Sequence, residues 1–269
     1  MEISEVGVIG AGVVGSSLIS TFRENVSVHI VDPKHKDHMS FTVMVNNITL
    51  DIIFICLPCI TEPDGTLDVT DLEMYLAALN NLNNPPLIVI KSTITPYYLK
   101  HFKRKFTNLD WLYNPEFIRA NHAEYDMANP VMHVVAGDTI LINTLELFYI
   151  KNCNIGPAKI VECDLETASL VKYFINTWLA TKVTYMNEFH KLFKDSGSTD
   201  SWDRFIEIIT NDPRIGKSHL NVPGPDGEFG FGGFCFPKDT EALLTYAKHR
   251  HVELDVLSAA VDKNNDLCK

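Results

Sequence analysis

Short apolar runs alternate with helix-spaced apolar patterns over roughly the first three fifths of the chain, and helix-spaced patterns alone fill the rest. Residues 5–9, 26–31, 51–57, 86–91, 109–113, 131–136 and 159–163 read as strands. Between them, apolar Leu18, Ile19 and Phe22, residues 68–80 and residues 138–150 read as helices, and Thr95-Pro96 marks another helix start. Strands alternating with helices predict an α/β fold with a doubly wound parallel sheet, which binds ligands at the carboxyl ends of its strands. Only a weak strand candidate, 41–45, separates Asp32 from the strand at 51–57, which leaves no room for a full crossover helix plus strand and predicts a curtailed sheet edge. After Asp164, which caps a long helix with Glu166 in its first turn, the pattern is helical: Val171, Phe174, Ile175, Trp178, Leu179 and Met186 form the expected buried stripe. Further helices are expected over 200–210, 239–247 and 254–265, with turn chemistry at 212–216 and a Pro/Gly-rich segment at 221–227. The expected organisation is a sheet domain over 1–163 and a mostly helical domain over 164–269.

The first strand runs into Gly10-Ala-Gly12-Val-Val14-Gly15, then a helix, then a second strand ending at Asp32. A lone GxGxxG is weak, but strand, glycine turn, helix, strand and acid together form a dinucleotide-binding (Rossmann) unit. Gly10 makes the tight turn, Gly12 and the neighbouring Val14 border the pyrophosphate, and Gly15 lets helix pack on strand. Asp32 is expected to accept both ribose hydroxyls and to repel a 2′-phosphate, which selects NAD over NADP, although Lys34 and Lys36 lie close in sequence. Thr93 and residues 58–61 fall at strand ends, on the expected nicotinamide side.

A net charge of −11 argues against nucleic acid or anionic membrane as general partners. No apolar run is long enough to span a bilayer, and no leader pattern precedes the first strand, so the expected location is cytoplasmic. Six cysteines in a chain this long suit reduced thiols rather than a disulfide framework. Cys56-Leu-Pro-Cys59 has redox or metal spacing but lacks a second Cys/His pair, so Cys56 reads as strand core and no metal is expected.

The most concentrated chemistry lies at Phe229-Gly-Phe-Gly232-Gly-Phe-Cys235-Phe-Pro-Lys238-Asp239. The glycines leave backbone bare for a ligand, the phenylalanines can wall off water, and a nearby cation favours a nucleophilic thiolate. Elsewhere Glu116 lies on a strand-end loop, followed by Arg119. Lys172 and Asn176 are one helical turn apart on one face, an arrangement that is ordinarily solvated.

Five elements in order resemble the UDP-glucose/GDP-mannose dehydrogenase family: Gly10–Gly15 with Asp32, Lys91-Ser-Thr93-Ile, Asn114-Pro-Glu-Phe117, Lys172-Tyr-Phe-Ile-Asn176 and the Phe229–Asp239 loop, the last close to diagnostic. The resemblance implies two successive oxidations of a nucleotide-sugar C6 alcohol with NAD, UDP-glucose being the expected substrate. It implies Cys235 as the nucleophile, Lys172 and Asn176 as donors to the developing oxyanion, and Asp239 and Glu116 as the groups that order water and move protons. It places Thr93 against a water and the cofactor, and Lys238 against the cofactor. It places Glu116, Phe117, Ile118, Arg119, Lys172, Asn176 and Gly232 against substrate, and sends Arg214 to a neighbouring subunit's substrate, which implies a homodimer. Three departures stand out. The second glutamate of the Pro-Glu-Phe loop is Ala120 here, with Glu124 nearby; the segment after Asp32 is short; and family members continue past Lys269 into a domain that grips the nucleotide. These leave open an NAD-binding partner subunit without turnover, or a second chain that supplies the missing domain. A single-hydride alcohol dehydrogenase is a weaker alternative, because it leaves Cys235 without a role.

Overall fold

The computed structural model describes residues 3–269. Its described residues divide into two compact units, one of residues 3–60 and 67–172, the other of residues 61–66 and 173–269.

The first unit is built on a seven-stranded sheet. β1 (Glu5–Ile9), α1 (Val13–Ile19) and β2 (Ser27–Val31) form the opening unit, and β1 pairs in parallel with β2 and with β3 (Ile52–Ile55). β3 and its neighbours carry continuous apolar runs because both faces are covered: Ile52, Ile53, Phe54 and Ile55 are fully buried. The crossover from β2 to β3 is a short helix, α2 (Phe41–Asn47), where the sequence suggested a weak strand. Ser40 decides the matter locally, since its side chain accepts a hydrogen bond from the Val43 N–H and caps the helix. β2 is the sheet edge, as the short connection requires.

A two-stranded hairpin of β4 (Ile60–Thr61) and β5 (Leu67–Asp68) precedes α3 (Thr70–Asn80). The sheet then continues through β6 (Leu87–Ile90), followed by α4 (Pro96–Lys105), and β7 (Trp111–Tyr113). Thr95 occupies the N-cap of α4 and Pro96 its first turn, although the Thr95 side chain makes no capping bond. A short 3₁₀ turn (Ala120–His122) and α5 (Ala123–Ala128) lead to β8 (Met132–Ala136), α6 (Thr139–Asn152) and β9 (Lys159–Cys163). β8 runs antiparallel to β7, an exception to the expected parallel order. The connection between them, residues 114–131, carries only a 3₁₀ turn and the six-residue α5.

The long helix α7 (Leu165–Asp195) starts in the first unit and continues in the second. Asp164 caps it through the Thr167 N–H and hydroxyl. Its buried side differs from the stripe expected from sequence. Ser169, Lys172, Asn176, Thr177, Thr184 and Asn187 are buried, whereas Phe174 is 66% and Trp178 57% exposed. Polar residues can occupy the covered face where they find hydrogen-bond partners, as Ser169 does on the Ile94 carbonyl. In the second unit α8 (Trp202–Ile209), capped by Ser201, sets Trp202, Ile206 and Ile209 against Met186, Leu220 and Val222. α9 (Cys235–His249) and α10 (Asp255–Leu267) complete it. α9 begins at Cys235, four residues earlier than the sequence suggested, so Asp239 lies inside the helix rather than at its start. No helix among the described residues is long and apolar enough to cross a membrane.

Candidate active site

The glycine turn has the shape its spacing predicts. Gly10 adopts φ +89°, a left-handed conformation, and a Cβ there would lie 2.8 Å from the Cys56 carbonyl oxygen. A Cβ on Gly15 would lie 2.0 Å from the Gly10 carbonyl oxygen, so nothing larger than hydrogen fits between α1 and the turn. Gly12 is the N-cap of α1 and opens outward, where a Cβ would meet nothing within 4 Å; Val14 follows it in the first turn. Asp32 faces this turn from the end of β2, accepting the Ala11 N–H at 2.8 Å and the Lys34 N–H at 2.9 Å. Burial works against its charge, but those two N–H donors and the Lys34 ammonium outweigh it and hold the carboxyl below its usual range. Asp32 is therefore an ionised acceptor already fixed against the glycine turn.

A second constellation stands at the carboxyl ends of β6 and β7. Lys172 donates to the Glu116 carbonyl oxygen at 2.6 Å and to Glu116 Oε1 at 3.0 Å, with its ammonium 5.5 Å from the centre of the Phe117 ring. Glu116 Oε2 accepts the Ile118 N–H at 2.7 Å. Both side chains of the ion pair are buried, 3% and 9% exposed. Burial pushes the Glu116 carboxyl up, but the Lys172 ammonium, the Ile118 N–H and the charge of Lys91 outweigh it and hold the carboxyl below its usual value. Asn114, just before Pro115, is fully buried and engaged at every polar atom, with Lys91, Tyr149, Val134 and Ile90 as partners.

The third constellation belongs to the second unit. Asn176 Nδ2 donates to Asp239 Oδ2 at 2.5 Å, and the Lys238 ammonium pairs with Asp239 Oδ1. Asp239 is 1% exposed. Lys172 and Asn176, expected to be solvated, are thus both buried and both engaged on carboxylates. Cys235 is exposed at the first position of α9, one turn before Asp239 on the same helix. The loop ahead of it is held by two amides. Asn264 accepts the Phe231 N–H and donates to the Phe231 carbonyl, while Asn187 accepts the Gly230 N–H. Gly232 and Gly233 are open, since a Cβ on either would meet nothing within 4 Å. The four phenylalanines do not act alike: Phe231 is buried, but Phe229 and Phe234 are 46% and 59% exposed.

Of the remaining sequence candidates, Thr93, Ile118 and Arg119 follow strands β6 and β7, and Arg214 follows α8. Thr93 is half-buried between β6 and α4, and Ile118 is half-buried beside Glu116. Arg119 is exposed and pairs with Asp126, and Arg214 is exposed and pairs with Asp212. Ala120 opens the exposed 3₁₀ turn, and Glu124 lies exposed in α5. Cys56 is buried beyond the end of β3, where burial pushes its thiol up to about 12, a core residue rather than a reactive one. Lys91, Asn114, Asn187 and Asn264 were not singled out from sequence. Lys91 and Asn114 stand inside the Lys91-Ser-Thr93 and Asn114-Pro-Glu116 motifs, and that adjacency was the only available signal.

The Gly10–Gly15 turn with Asp32 at the end of β2 is a dinucleotide-binding arrangement, and comparison with known proteins gives the family. Residues 19–151 match the NAD-binding domain of the UDP-glucose/GDP-mannose dehydrogenase family, and residues 166–266 match that family's central domain. The chain belongs to the UDP-glucose/GDP-mannose dehydrogenase family. It is 32% identical over 197 residues to the UDP-glucose 6-dehydrogenase of Campylobacter jejuni, covering 73% of this chain and 48% of that one. It is 30% identical over 261 residues to the UDP-glucose 6-dehydrogenase of Rickettsia conorii, covering 92% and 57%. The chain thus spans about half the length of these relatives. In fold it resembles a UDP-glucose dehydrogenase from Pyrobaculum islandicum, with TM-score 0.75 at 23% identity over 98% of this chain and 68% of that one.

NAD is the cofactor of the matched domain, and the residues present fit it. Gly15 clears the helix–turn contact, Gly12 leaves the phosphate side open, and Asp32 offers an ionised acceptor for ribose hydroxyls. Asp32→Ala is expected to weaken NAD binding by one to two decades, since a hydrogen bond to a charged group contributes roughly 1.5–3 kcal/mol. Fluorescence titration of NAD reads this directly, and an unchanged Kd contradicts the assignment of Asp32.

Proposed function

We propose that this chain oxidises the C6 alcohol of a nucleotide sugar, UDP-glucose, to the uronic acid. The observation that carries the reading is the pairing of each donor expected at the C6 oxygen with its own buried carboxylate, Lys172 with Glu116 and Asn176 with Asp239. NAD, when bound, would accept the hydride in each of two successive oxidations, the first of which turns the C6 alcohol into the aldehyde by loss of its C6 hydride and hydroxyl proton. The chain's residues do the rest. The Cys235 sulfur adds to the C6 aldehyde carbon as the carbonyl π bond opens, and the oxygen takes up the negative charge. An ammonium has three N–H donors, and Glu116 occupies two of those on Lys172, so one remains for that oxygen. Asn176 likewise has an amide N–H beyond the one given to Asp239. Preorganised donors of this kind stabilise the oxyanion more than the carbonyl that precedes it. Protonation gives a thiohemiacetal; loss of its C6 hydride and hydroxyl proton leaves a thioester. Water, deprotonated by Asp239 or Glu116, adds to the thioester, the C–S bond breaks, and carboxylate and Cys235 thiol are released. Cys235 opens α9, where the helix dipole favours negative charge on the attacking sulfur.

The test is NADH formation by purified protein with UDP-glucose, UDP-N-acetylglucosamine, GDP-mannose and UDP-N-acetylmannosamine. NADH with UDP-glucose supports the reading, and no NADH with any of the four sinks it. Ala120 favours a second reading, an NAD-binding partner subunit without turnover of its own. That reading expects NAD binding without NADH until a second chain is added. The exposed Phe174 and Trp178 of α7, one turn apart with Leu170 in line, form an apolar stripe that a second copy of this chain would cover, in keeping with a homodimer.

A further inference from the structure

We propose that Lys91 is a positioning residue: by gripping Asn114 it fixes the Asn114-Pro115-Glu116 turn, and so sets where the Glu116 carboxylate meets Lys172. The inference rests on the proposed role of Glu116 and Lys172 in the oxidation. Two lysines treat the two ends of this turn alike. Lys91 Nζ donates to the Asn114 carbonyl oxygen at 3.1 Å and to Asn114 Oδ1 at 3.0 Å. Lys172 Nζ donates to the Glu116 carbonyl oxygen and to Glu116 Oε1 in the same manner. Pro115, with its fixed φ, is the only residue between the two clamps. Asn114 then ties the turn to the sheet and its cover, donating to the Val134 carbonyl at 2.9 Å and accepting the Tyr149 hydroxyl at 2.7 Å.

A fully buried ammonium is costly unless it is paired, and Lys91 donates to the two neutral oxygens of Asn114. Burial pulls the Lys91 ammonium down from its usual value; Cys56, Glu116 and Cys153 pull the other way, and Lys172 adds to burial. Its charge helps to keep Glu116 ionised, alongside Lys172 and the Ile118 N–H. His133 on β8, stacked on Tyr149 at 4.7 Å, feels the same charge and is held, mainly by burial, at about 4.

The experiment compares the full chain with Lys91→Met, Lys91→Gln, Glu116→Gln and the Lys91→Met/Glu116→Gln double variant. Lys91→Met should raise the acid limb of the kcat/KM profile by roughly one unit, the effect of losing a nearby opposite charge, and should lower kcat more than it raises KM. Lys91→Gln keeps an N–H donor to Asn114 without the charge, so it should shift the same limb with a smaller loss of kcat. The midpoint of acid unfolding gives a readout that needs no turnover. Glu116 has a lowered folded pKa, so its stabilisation is present above the ordinary carboxylate range and fades as pH falls through the folded value. Loss of Lys91 raises that folded value, and unfolding should begin at higher pH. The response of His133 to Lys91 persists when Glu116 is replaced, so the difference between the two backgrounds isolates Glu116. Equal effects of Lys91→Met in both backgrounds, or an acid limb unmoved in Lys91→Met and Lys91→Gln, would overturn the proposal. A wild-type chain that forms no NADH defeats the proposed oxidation, while the unfolding cycle still decides the place of Lys91.

Discussion

Cys235→Ala is expected to abolish uronic acid formation while leaving NAD affinity unchanged. A free aldehyde has no leaving group, and its oxidation to the acid requires something first added to the carbonyl. In the proposed mechanism the Cys235 sulfur is that addition, and its replacement by a methyl group leaves nothing to form the thiohemiacetal. The cofactor turn at Gly10–Gly15 and the Lys172–Glu116 pair both lie in the first unit, whereas Cys235 lies in the second. Residual activity should therefore stop at one NADH per sugar, with aldehyde or its hydrate as product, where the proposed mechanism expects two NADH and a carboxylate from the intact chain. Product analysis by mass spectrometry with NADH counted in parallel separates these outcomes. Uronic acid made by Cys235→Ala at near the wild-type rate would remove the thioester from the mechanism. One NADH per sugar from the intact chain would favour a single-hydride dehydrogenase.

Lys172→Met is expected to cost both stability and turnover, through different atoms. The substitution leaves the Glu116 carboxylate buried without its cation, a loss that typically costs about 3–5 kcal/mol. In the proposed mechanism it also removes a donor from the C6 oxyanion, and loss of one such donor lowers kcat by roughly 10²–10³. Adding Glu116→Gln should recover most of the stability, because a neutral amide needs no counter-charge, while turnover stays low. The pH dependence separates the two effects. Glu116 is lowered in the folded chain, so the wild-type stabilisation stands above the ordinary carboxylate range, about 4.3 for glutamate, and is lost as pH falls through the lower folded value. In Lys172→Met that window moves up, and the single variant should gain relative stability on mild acidification as Glu116 protonates. Thermal melts across pH with steady-state rates on the same samples check both arms. A stable Lys172→Met with a normal melt at neutral pH would show that Glu116 does not depend on this cation.

The sequence alone determined the features that depend on neighbours in the chain. The glycine turn and Asp32 were legible because a sharp turn and a fitted helix admit only certain residues at fixed spacing, and the positive φ of Gly10 and the 2.0 Å clearance at Gly15 are the physical form of that constraint. The strands were legible because a sheet covered on both faces demands continuous apolar runs. The helix cap at Asp164 and the curtailed edge at β2 followed from local chemistry and chain length. The tertiary structure decided what depends on partners distant in the chain. Helical spacing put Phe174 and Trp178 inward, yet the covered face of α7 mixes apolar Tyr173, Ala180 and Met186 with Lys172 and Asn176, which meet carboxylates 56 and 63 residues away. Residues 41–45 became a helix once Ser40 capped it, and β8 pairs antiparallel with β7, an orientation that apolar runs alone do not distinguish. Lys91 shows the limit most clearly. In the sequence it is a charged residue at the end of an apolar run; its buried grip on Asn114 exists only once β6 and β7 lie side by side.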